Sequence, residues 1–561
     1  MALGQVTGKF ATYRFGYEDG RFSIFADTEK LKGHSLVSPR DPVREAERHI
    51  GTFRLKPGML ALVAGVGHLP MLEMLVEQLN TRDGQGGLII AFEADTELYL
   101  ALKKARPDIF ADVAVIVPEN ATVIAELVER LDVENFIGYR AFENRGSVEL
   151  NSSFYAQAIA DFKQKLASRF SDLFTRLEFE ERWVFNALSK LPLLSSARPV
   201  SALFGLGKGS EAILVSTGPS LRSTIENLKA VKDKYFIACA DSAYRVLVRS
   251  GINPHLVFSL DSQAHTTKHF GLLPRGKPGN FPLLVCDAVS NPVVARDWRG
   301  EMAISFTAQY IDDRRVVSPG CDYLEEQRIF AGAGELIPGD LQSGGSVATS
   351  IFDLLRLMQF DRIIFLGQDL AYTNREIHTP GTHHTDEWLA RTTNRLQPLE
   401  NINERVLRRR HTKREVSLTG RPIVTDYILS LYRDWFVTAM QRIDNKVANA
   451  TGDGLQIPGA ERLSEIEASP AGDLQVLLKA YLNSALLSVD TEKLGEISKR
   501  IASARRHELP AESLSFMRYV GRKFSIKATR TPESRPALLT KQRTRQKNFL
   551  RKLATKLGAN A

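Results

Sequence analysis

Apolar residues in the middle of the chain come in short continuous runs rather than in alternation, and each run stops at a small polar or acidic residue. Ile213-Leu214-Val215 stops at Ser216-Thr217-Gly218-Pro219-Ser220-Leu221, Tyr235 to Ala240 at Asp241-Ser242, and His255 to Leu260 at Asp261-Ser262. Leu283 to Cys286 stops at Asp287, and Arg362 to Leu366 at Gly367-Gln368-Asp369. Such runs, separated by stretches of helical period, predict a parallel sheet covered on both faces. In a doubly wound α/β fold ligands collect at the carboxyl edge of the strands, so these endings predict a cleft of carboxylates, hydroxyls and amides. Gly218-Pro219-Ser220-Leu221 reads as strand, tight turn and helix, with Ser220 placed as cap. Backbone N–H groups at a helix start favour a phosphate or another anion, which makes this a candidate nucleotide-binding turn; a strand-helix turn without a ligand is the competing reading. Gln342-Ser343-Gly344-Gly345-Ser346 opens a further helical pattern through Phe360, with Ser343 or Ser346 as its cap.

Before this series, Asp41-Pro42 opens an amphipathic helix through Ile50. Met59 to Ala64 then leads into Gly65-Val66-Gly67-His68 and a helix, followed by Leu88 to Phe92 ending at Glu93. This is a second, Rossmann-like unit. An acidic residue at Glu93 can hold a ribose hydroxyl, but the third glycine of the dinucleotide fingerprint is missing, so a structural unit without cofactor is expected. Residues 151–205 read as helical, and Gly205 to Gly209 as a linker. The stretch 311–345, with Asp312-Asp313, Gly332-Ala333-Gly334 and Pro338-Gly339-Asp340, reads as a long loop over the cleft. Beyond Ile457-Pro458-Gly459 the pattern is helical. The expected domains are therefore 1–169 (Rossmann-like), 170–455 (central α/β) and 456–561 (α-helical).

Composition narrows the class. At 561 residues the chain exceeds what one hydrophobic core usually supports. No apolar run approaches the length of a membrane span, no leader segment is expected, and the three cysteines at 239, 286 and 321 lack metal-ligand spacing. Reduced core thiols and a cytoplasmic protein are expected. From Lys499 to the end there are 17 Lys plus Arg against 3 Asp plus Glu, while the whole chain carries +9, so the basic character belongs to the tail. Its aromatics, Phe516, Tyr519, Phe524 and Phe549, are too widely spread for a nucleic-acid platform, which leaves a solvated face or a protein partner. His378, His383 and His384 are interrupted by Pro380-Gly381 and accompanied by no cysteine, so no metal site is expected there. His265 and His269, a helical turn apart beyond Asp261, are expected to flank the cleft rim or lie exposed rather than ligate a metal.

Several segments together resemble the motility-associated factor (Maf) glycosyltransferases. They are Ser38-Pro39-Arg40-Asp41-Pro42, Thr217-Gly218-Pro219-Ser220-Leu221, Gly251-Ile252-Asn253-Pro254-His255 leading to Ser259-Leu260-Asp261, Gly367-Gln368-Asp369-Leu370-Ala371-Tyr372, Asn449-Ala450-Thr451 and Ile457-Pro458-Gly459-Ala460. The resemblance implies transfer of a nonulosonic acid, of pseudaminic or legionaminic type, from a CMP donor to Ser or Thr of flagellin, with no cofactor. The central region also resembles bacterial sialyltransferases of variant GT-A fold. That likeness implies nucleotide contacts at Thr217, Gly218, Pro219, Ser220, Asp241, Ser242, Ser343, Gly344, Gln368 and Asp369, with Thr217 and Asp241 standing where those enzymes carry asparagines. Tyr372 and His378 fall near their two phosphate-binding tyrosines. Asp241 is suited to ribose or base contacts.

No Asp-x-Asp ends a strand, and a CMP leaving group is a monophosphate whose charge hydrogen bonds and a helix start can offset. His378 and Asp261 are the candidate general bases. The competing functions are pyrophosphoryl transfer from ATP, as in 6-hydroxymethylpterin diphosphokinases, and a non-catalytic flagellin-binding factor.

Overall fold

A computed structural model describes residues 4–18, 21–79, 87–120, 123–271, 281–311, 314–330, 338–392, 398–467, 474–506, 510, 513–530 and 534–557. The chain forms two compact units, Met1–Glu178 with Arg522–Gln542, and Phe179–Gly521 with Arg543–Ala561.

In the first unit, four parallel strands lie in the order Val113–Ile116, Leu88–Phe92, Met59–Ala64, Gly138–Glu143. This is half of a Rossmann arrangement. The helix Pro42–Ile50 forms as its sequence predicts, with the Asp41 side chain accepting from the Arg44 N–H at its start. An antiparallel meander of Gly4–Thr7, Thr12–Glu18, Arg21–Asp27 and His34–Ser35 precedes it and was not expected from the mixed pattern of residues 1–60. Its signal was the alternation in which Phe22, Ile24 and Ala26 turn inward to a core shared with Ala61, Val63 and Leu72.

The Gly65 turn is held from inside. Glu93 Oε2 accepts from the Val66 N–H at 2.9 Å, while Glu93 Oε1 accepts from the Asp95 N–H and the Tyr155 hydroxyl. Gly65 has a φ of +89°, and a Cβ there would lie 2.3 Å from Cβ of Ser147. The carboxylate that would greet a ribose is thus spent on the turn itself.

The second unit is built on a long twisted sheet. Its order is Arg314–Val317, Met302–Ile311, Leu283–Asp287, Leu256–Ser259, Phe236–Ala240, Glu211–Val215, Arg362–Leu366, Lys446–Asn449, Glu461–Arg462. All neighbours are parallel except the first pair. The strands predicted from the apolar runs are all present. Met302–Ile311 and Lys446–Asn449, not anticipated, extend the sheet at its two sides. From Glu211–Val215 the chain adds strands in one direction as far as Met302–Ile311, then returns to place Arg362–Leu366 on the other flank. The topology reverses between these two strands.

Several expected boundaries differ from the structure. One helix of 38 residues, Ser152–Ser189, runs through the 169/170 position. The tail is helical, with Leu474–Leu482, Thr491–Arg505, Arg522–Arg530 and Arg535–Lys556, but it is no separate body. Leu487, Ile497, Phe516, Phe549 and Leu553 share one core with Leu284, Cys286 and Ile304 of the sheet. The stretch 311–345 is no open loop, since Arg314–Val317 pairs with Met302–Ile311 and Pro319–Glu326 is a helix. Asp312-Asp313 and Gly332-Ala333-Gly334 lie outside the described residues. All three cysteines are buried free thiols.

Burial pushes the Glu93 carboxyl up to about 7. A carboxyl raised on folding contributes stability that is complete below its ordinary range and lost as pH rises through the folded value. Stability of the first unit is therefore expected to fall between about pH 5 and 8, and Glu93→Gln to flatten that part of the profile. Urea unfolding across this range, followed by amide hydrogen exchange of peptides from the first unit, measures both; parallel profiles for variant and wild type would refute the assignment.

Candidate functional site

The reversal point brings together the two turns singled out in the sequence. Strands Glu211–Val215 and Arg362–Leu366 are paired along their length, so Ser216 to Ser220 and Gly367 to Asp369 leave the sheet side by side. The Gly218 N–H donates to the Gly367 carbonyl at 2.8 Å. Asp369 is buried, and its carboxylate accepts from the Ser220 N–H at 2.9 Å, the Ser220 hydroxyl at 2.6 Å and the Thr373 hydroxyl at 2.6 Å. Burial raises its carboxyl to about 6. A Cβ on Gly218 would lie 2.1 Å from Oδ1 of Asp369, so only glycine lets the two turns approach this closely.

This arrangement changes the reading of the turn. Ser220 stands at the N-terminus of helix Leu221–Val231, as expected, but its hydroxyl goes to Asp369 and makes no cap bond. The Asp369 carboxylate takes both the N–H and the hydroxyl of the residue before the helix, while the Leu221 and Ser223 N–H groups donate to the Gly218 and Ser220 carbonyls. Pro219, Ser220 and Asp369 thus hold the architecture of the switch point. Gln368 does likewise, accepting from the Ser216 hydroxyl at 2.5 Å through its side chain and donating from its backbone N–H to Thr451 Oγ1 at 3.1 Å.

One step further along this edge lie polar groups with loose, adjustable contacts. Thr217 Oγ1 lies 3.4 Å from Ser242 Oγ and 3.4 Å from His378 Nδ1. The Thr379 N–H donates to the Thr217 carbonyl at 3.0 Å, which fixes the His378 segment over the turn. Burial, aided by the nearby Arg410 and His384, pushes the His378 imidazole down to about 4, so it is neutral near pH 7. Thr217, Ser242 and His378 are the sequence-selected residues that the fold gathers at contact distance of one another, with Thr217 itself buried.

The remaining ones fall around that group in other roles. Asp241 is buried at the start of helix Asp241–Arg249, accepting from the Ser242 N–H at 2.7 Å and the Ser259 hydroxyl at 3.2 Å. Burial, with Asp261 nearby, raises its carboxyl to about 7. Both Asp241 oxygens are engaged internally, so it positions Ser242. Asp261 is partly exposed, with Oδ1 accepting from the Gln263 N–H and Oδ2 3.1 Å from His265 Nε2. Tyr372 is buried, and its hydroxyl donates to Asp426 Oδ2 at 2.6 Å. Ser343 and Gly344 belong to the turn before helix Val347–Leu357, where the Gly344 N–H donates to Thr349 Oγ1 at 2.9 Å and a Cβ on Gly344 would strike Trp435. Among the described residues neither makes a hydrogen bond to Thr217, Ser242 or His378.

Sequence reasoning missed Arg410 and Asp426. Arg410 donates to Asp426 Oδ2 at 2.9 Å and lies 5.8 Å from the centre of the Tyr372 ring. Asp426 in turn accepts from the Leu429 N–H at the start of helix Tyr427–Met440. Arg410 keeps 41% of its side chain exposed, so a half-open guanidinium stands beside Tyr372, and its charge helps to keep His378 neutral. Nothing local marked it, because it sits in Arg408-Arg409-Arg410, whose other members are solvated.

Residues 185–375 match the family model described as 6-hydroxymethylpterin diphosphokinase MptE-like. An uncharacterized protein of Treponema pallidum (strain Nichols) is 31% identical over 93 residues, which is 17% of this chain and 43% of the relative's length. The solved structure of the Maf glycosyltransferase from Magnetospirillum magneticum AMB-1 aligns with 97% of this chain and 89% of its own, at a TM-score of 0.56 and 14% identity. The fold is that of a Maf glycosyltransferase. The Maf-like fold extends through both compact units, whereas the MptE-like match ends shortly before His378.

Removing Asp369 leaves three buried donors without a partner. Asp369→Ala is expected to destabilise the second unit by roughly 2–4 kcal/mol in urea unfolding. Gly218→Ala, which forces the turns apart, is expected to cost about 1–3 kcal/mol. Wild-type stability in either variant would show that Asp369 does not hold the two turns together.

Proposed function

We propose that this chain is a glycosyltransferase that moves a nonulosonic acid, of pseudaminic or legionaminic type, from a CMP donor to Ser or Thr hydroxyls of flagellin in the cytoplasm. The reading is carried by one observation: Thr217, Ser242 and His378 converge at the switch point of a sheet whose whole chain has the fold of a Maf glycosyltransferase. A switch point is where doubly wound sheets hold nucleotides. The motifs shared with sialyltransferases of variant GT-A fold support the choice of a CMP-linked donor. Among the described residues no helix is long and apolar enough to cross a membrane.

In this mechanism the bond between sugar and phosphate breaks while the acceptor hydroxyl forms a new bond to the sugar. Charge grows on the departing phosphate, and donors aimed at it count most in the transition state. Thr217 and Ser242 supply hydroxyls, His378 an imidazole and Arg410 a fixed positive charge. Tyr372 acts through Asp426, which it shares with Arg410, so its part is to position the guanidinium. The proton released by the acceptor goes to His378 or Asp261. No cofactor takes part in these steps.

The MptE-like match over residues 185–375 supports a second reading, pyrophosphoryl transfer from ATP. Calorimetric titration separates them. CMP binding without ATP binding is expected; ATP binding that requires magnesium, with no response to CMP, would favour the second reading, and neither would leave a flagellin-binding factor. Intact mass of flagellin co-expressed with the chain and a nonulosonic acid pathway is expected to rise by whole multiples of one sugar. Arg410→Ala and His378→Ala are each expected to lower turnover more than they weaken CMP binding, by tenfold or more for a lost charge-assisted contact. Full turnover in both would move the phosphate site elsewhere.

The basic tail is proposed to hold the protein acceptor. Because Phe549, Leu550 and Leu553 are core residues, the test is substitution rather than deletion. Arg543, Lys547 and Arg551 are exposed and recur every fourth residue of helix Arg535–Lys556, which puts them on one face. Replacing all three with Gln is expected to weaken flagellin binding and leave CMP binding unchanged. Wild-type affinity is expected to fall with salt as the Debye length shortens to about 8 Å at physiological strength. Salt-independent binding, or no loss in the triple variant, would dismiss the tail as a docking face.

A further inference from the structure

Helix His383–Arg391 is strapped across the edge of the sheet. Asp386 takes Arg245 at 2.7 Å and Arg249 at 2.9 Å from helix Asp241–Arg249, and Glu387 takes Lys268 at 3.2 Å from the segment after the strand Leu256–Ser259. Where that segment and the helix start meet, histidines from distant stretches of chain face one another. One ring nitrogen from each of His265, His269 and His384 lies within 4.8 Å of the other two. The ring of His384 is 5.8 Å from that of His265 and 5.4 Å from that of His269, and it stacks at 5.5 Å on His378.

Packed imidazoles would ordinarily alternate with acceptors. Here His269 is 5% exposed, and its Nδ1 is buried with no hydrogen-bond partner. A buried ring nitrogen left unpaired has a desolvation cost that a bound group would remove. Asp261 stands 3.1 Å from Nε2 of His265, close enough for its carboxylate to pair with that ring beside a metal. The His383 ring packs beside the group, 5.6 Å from His384 and 6.1 Å from His269, with its Nε2 3.0 Å from the Glu387 carboxylate.

We propose that His265, His269 and His384 form a binding site for a divalent transition ion of zinc type, with Asp261 as the carboxylate paired with His265. Imidazole nitrogens suit such ions, and three of them leave one tetrahedral position open. Closing bonds of about 2.0–2.1 Å brings nitrogens to roughly 3.4 Å apart, so the rings move inward by about an ångström as the ion binds. Two of the rings come from residues 265–269 and the third from the start of helix His383–Arg391, so the ion cross-links two segments flanking Thr217, Ser242 and His378. It holds His384, on which His378 stacks, and the site stands whichever reaction the cleft performs. No local spacing marks the site, because His384 lies more than a hundred residues from His269 and the fold makes them neighbours.

The test uses the full chain without a histidine tag, stripped with chelator and titrated with cobalt(II) and zinc(II). One equivalent of cobalt is expected to bind with a tetrahedral visible spectrum, displaced by one equivalent of zinc, and thermal unfolding is expected to shift upward with either ion. His269→Gln and His384→Gln are expected to abolish the cobalt spectrum, and Asp261→Asn to weaken binding roughly 10- to 100-fold. His411→Gln, an exposed histidine, is expected to bind as wild type. Since His269 is buried, His265→Gln at a partly exposed ring repeats the test without a risk to folding. Absence of a stoichiometric cobalt spectrum in the wild type, or its persistence in His265→Gln and His384→Gln, overturns the proposal.

Discussion

The interaction on which the second unit turns is the carboxylate of Asp369 seated on the start of the helix that follows Gly218-Pro219-Ser220. Two strands belonging to opposite halves of the sheet end there, and three hydrogen bonds from Ser220 and Thr373 bind the turns into one piece. The contact requires glycine at 218 and brings Asp369 deep enough that its ionisation becomes costly. Because this carboxylate takes both the N–H and the hydroxyl of Ser220, the groups of the edge without so firm a partner are those of Thr217, Ser242 and His378. Positioning and reactivity are thereby divided between neighbouring residues of the same turn.

The same division recurs along the edge. Asp241 is buried and bonded to Ser259 and the Ser242 backbone, and it leaves the Ser242 hydroxyl turned toward Thr217. Asp426 holds Tyr372 and Arg410 together and leaves part of the guanidinium exposed. In each pair a buried acid fixes a partner that keeps a free face. A buried polar group is tolerable when its bonds are met, and a rigid, satisfied support holds reacting groups at fixed distances. Lys190 shows the limiting case at the neighbouring strand end: its fully buried ammonium donates to the carbonyls of Asp287, Ala288 and Ser290 and serves structure alone.

The first unit repeats the theme with a different result. Glu93 ends a strand where a dinucleotide fold presents an acid to a ribose, yet here it closes on Val66 and Tyr155. Missing the third glycine, the turn keeps the shape of a nucleotide fold while its polar groups bond to one another. The tail likewise looked separable from its composition and is not. Its basic residues are on the outside of helices whose apolar face, from Ile497 to Leu553, completes the core under the sheet.

What the sequence determined by itself was the set of local elements and their chemical endings. Continuous apolar runs are buried on both faces, so they identify parallel strands, and the polar residue ending each run follows from chain exit at the sheet edge. The helix capped by Asp41, the Rossmann-like unit and the strand-turn-helix at Gly218 were all legible for this reason, as was the resemblance that named the fold. Partner choice was not legible. Ser220 and Asp369 are 149 residues apart, Tyr372 and Asp426 are 54 apart, and neither spacing carries a period. Which acids are spent on structure, why Arg410 stands at the cleft while its neighbours are solvated, and how His384 meets His265 and His269 were decided by strand order alone. Tertiary structure brings together groups whose sequence separations have no bearing on their distance, and burial then sets which of them can still react.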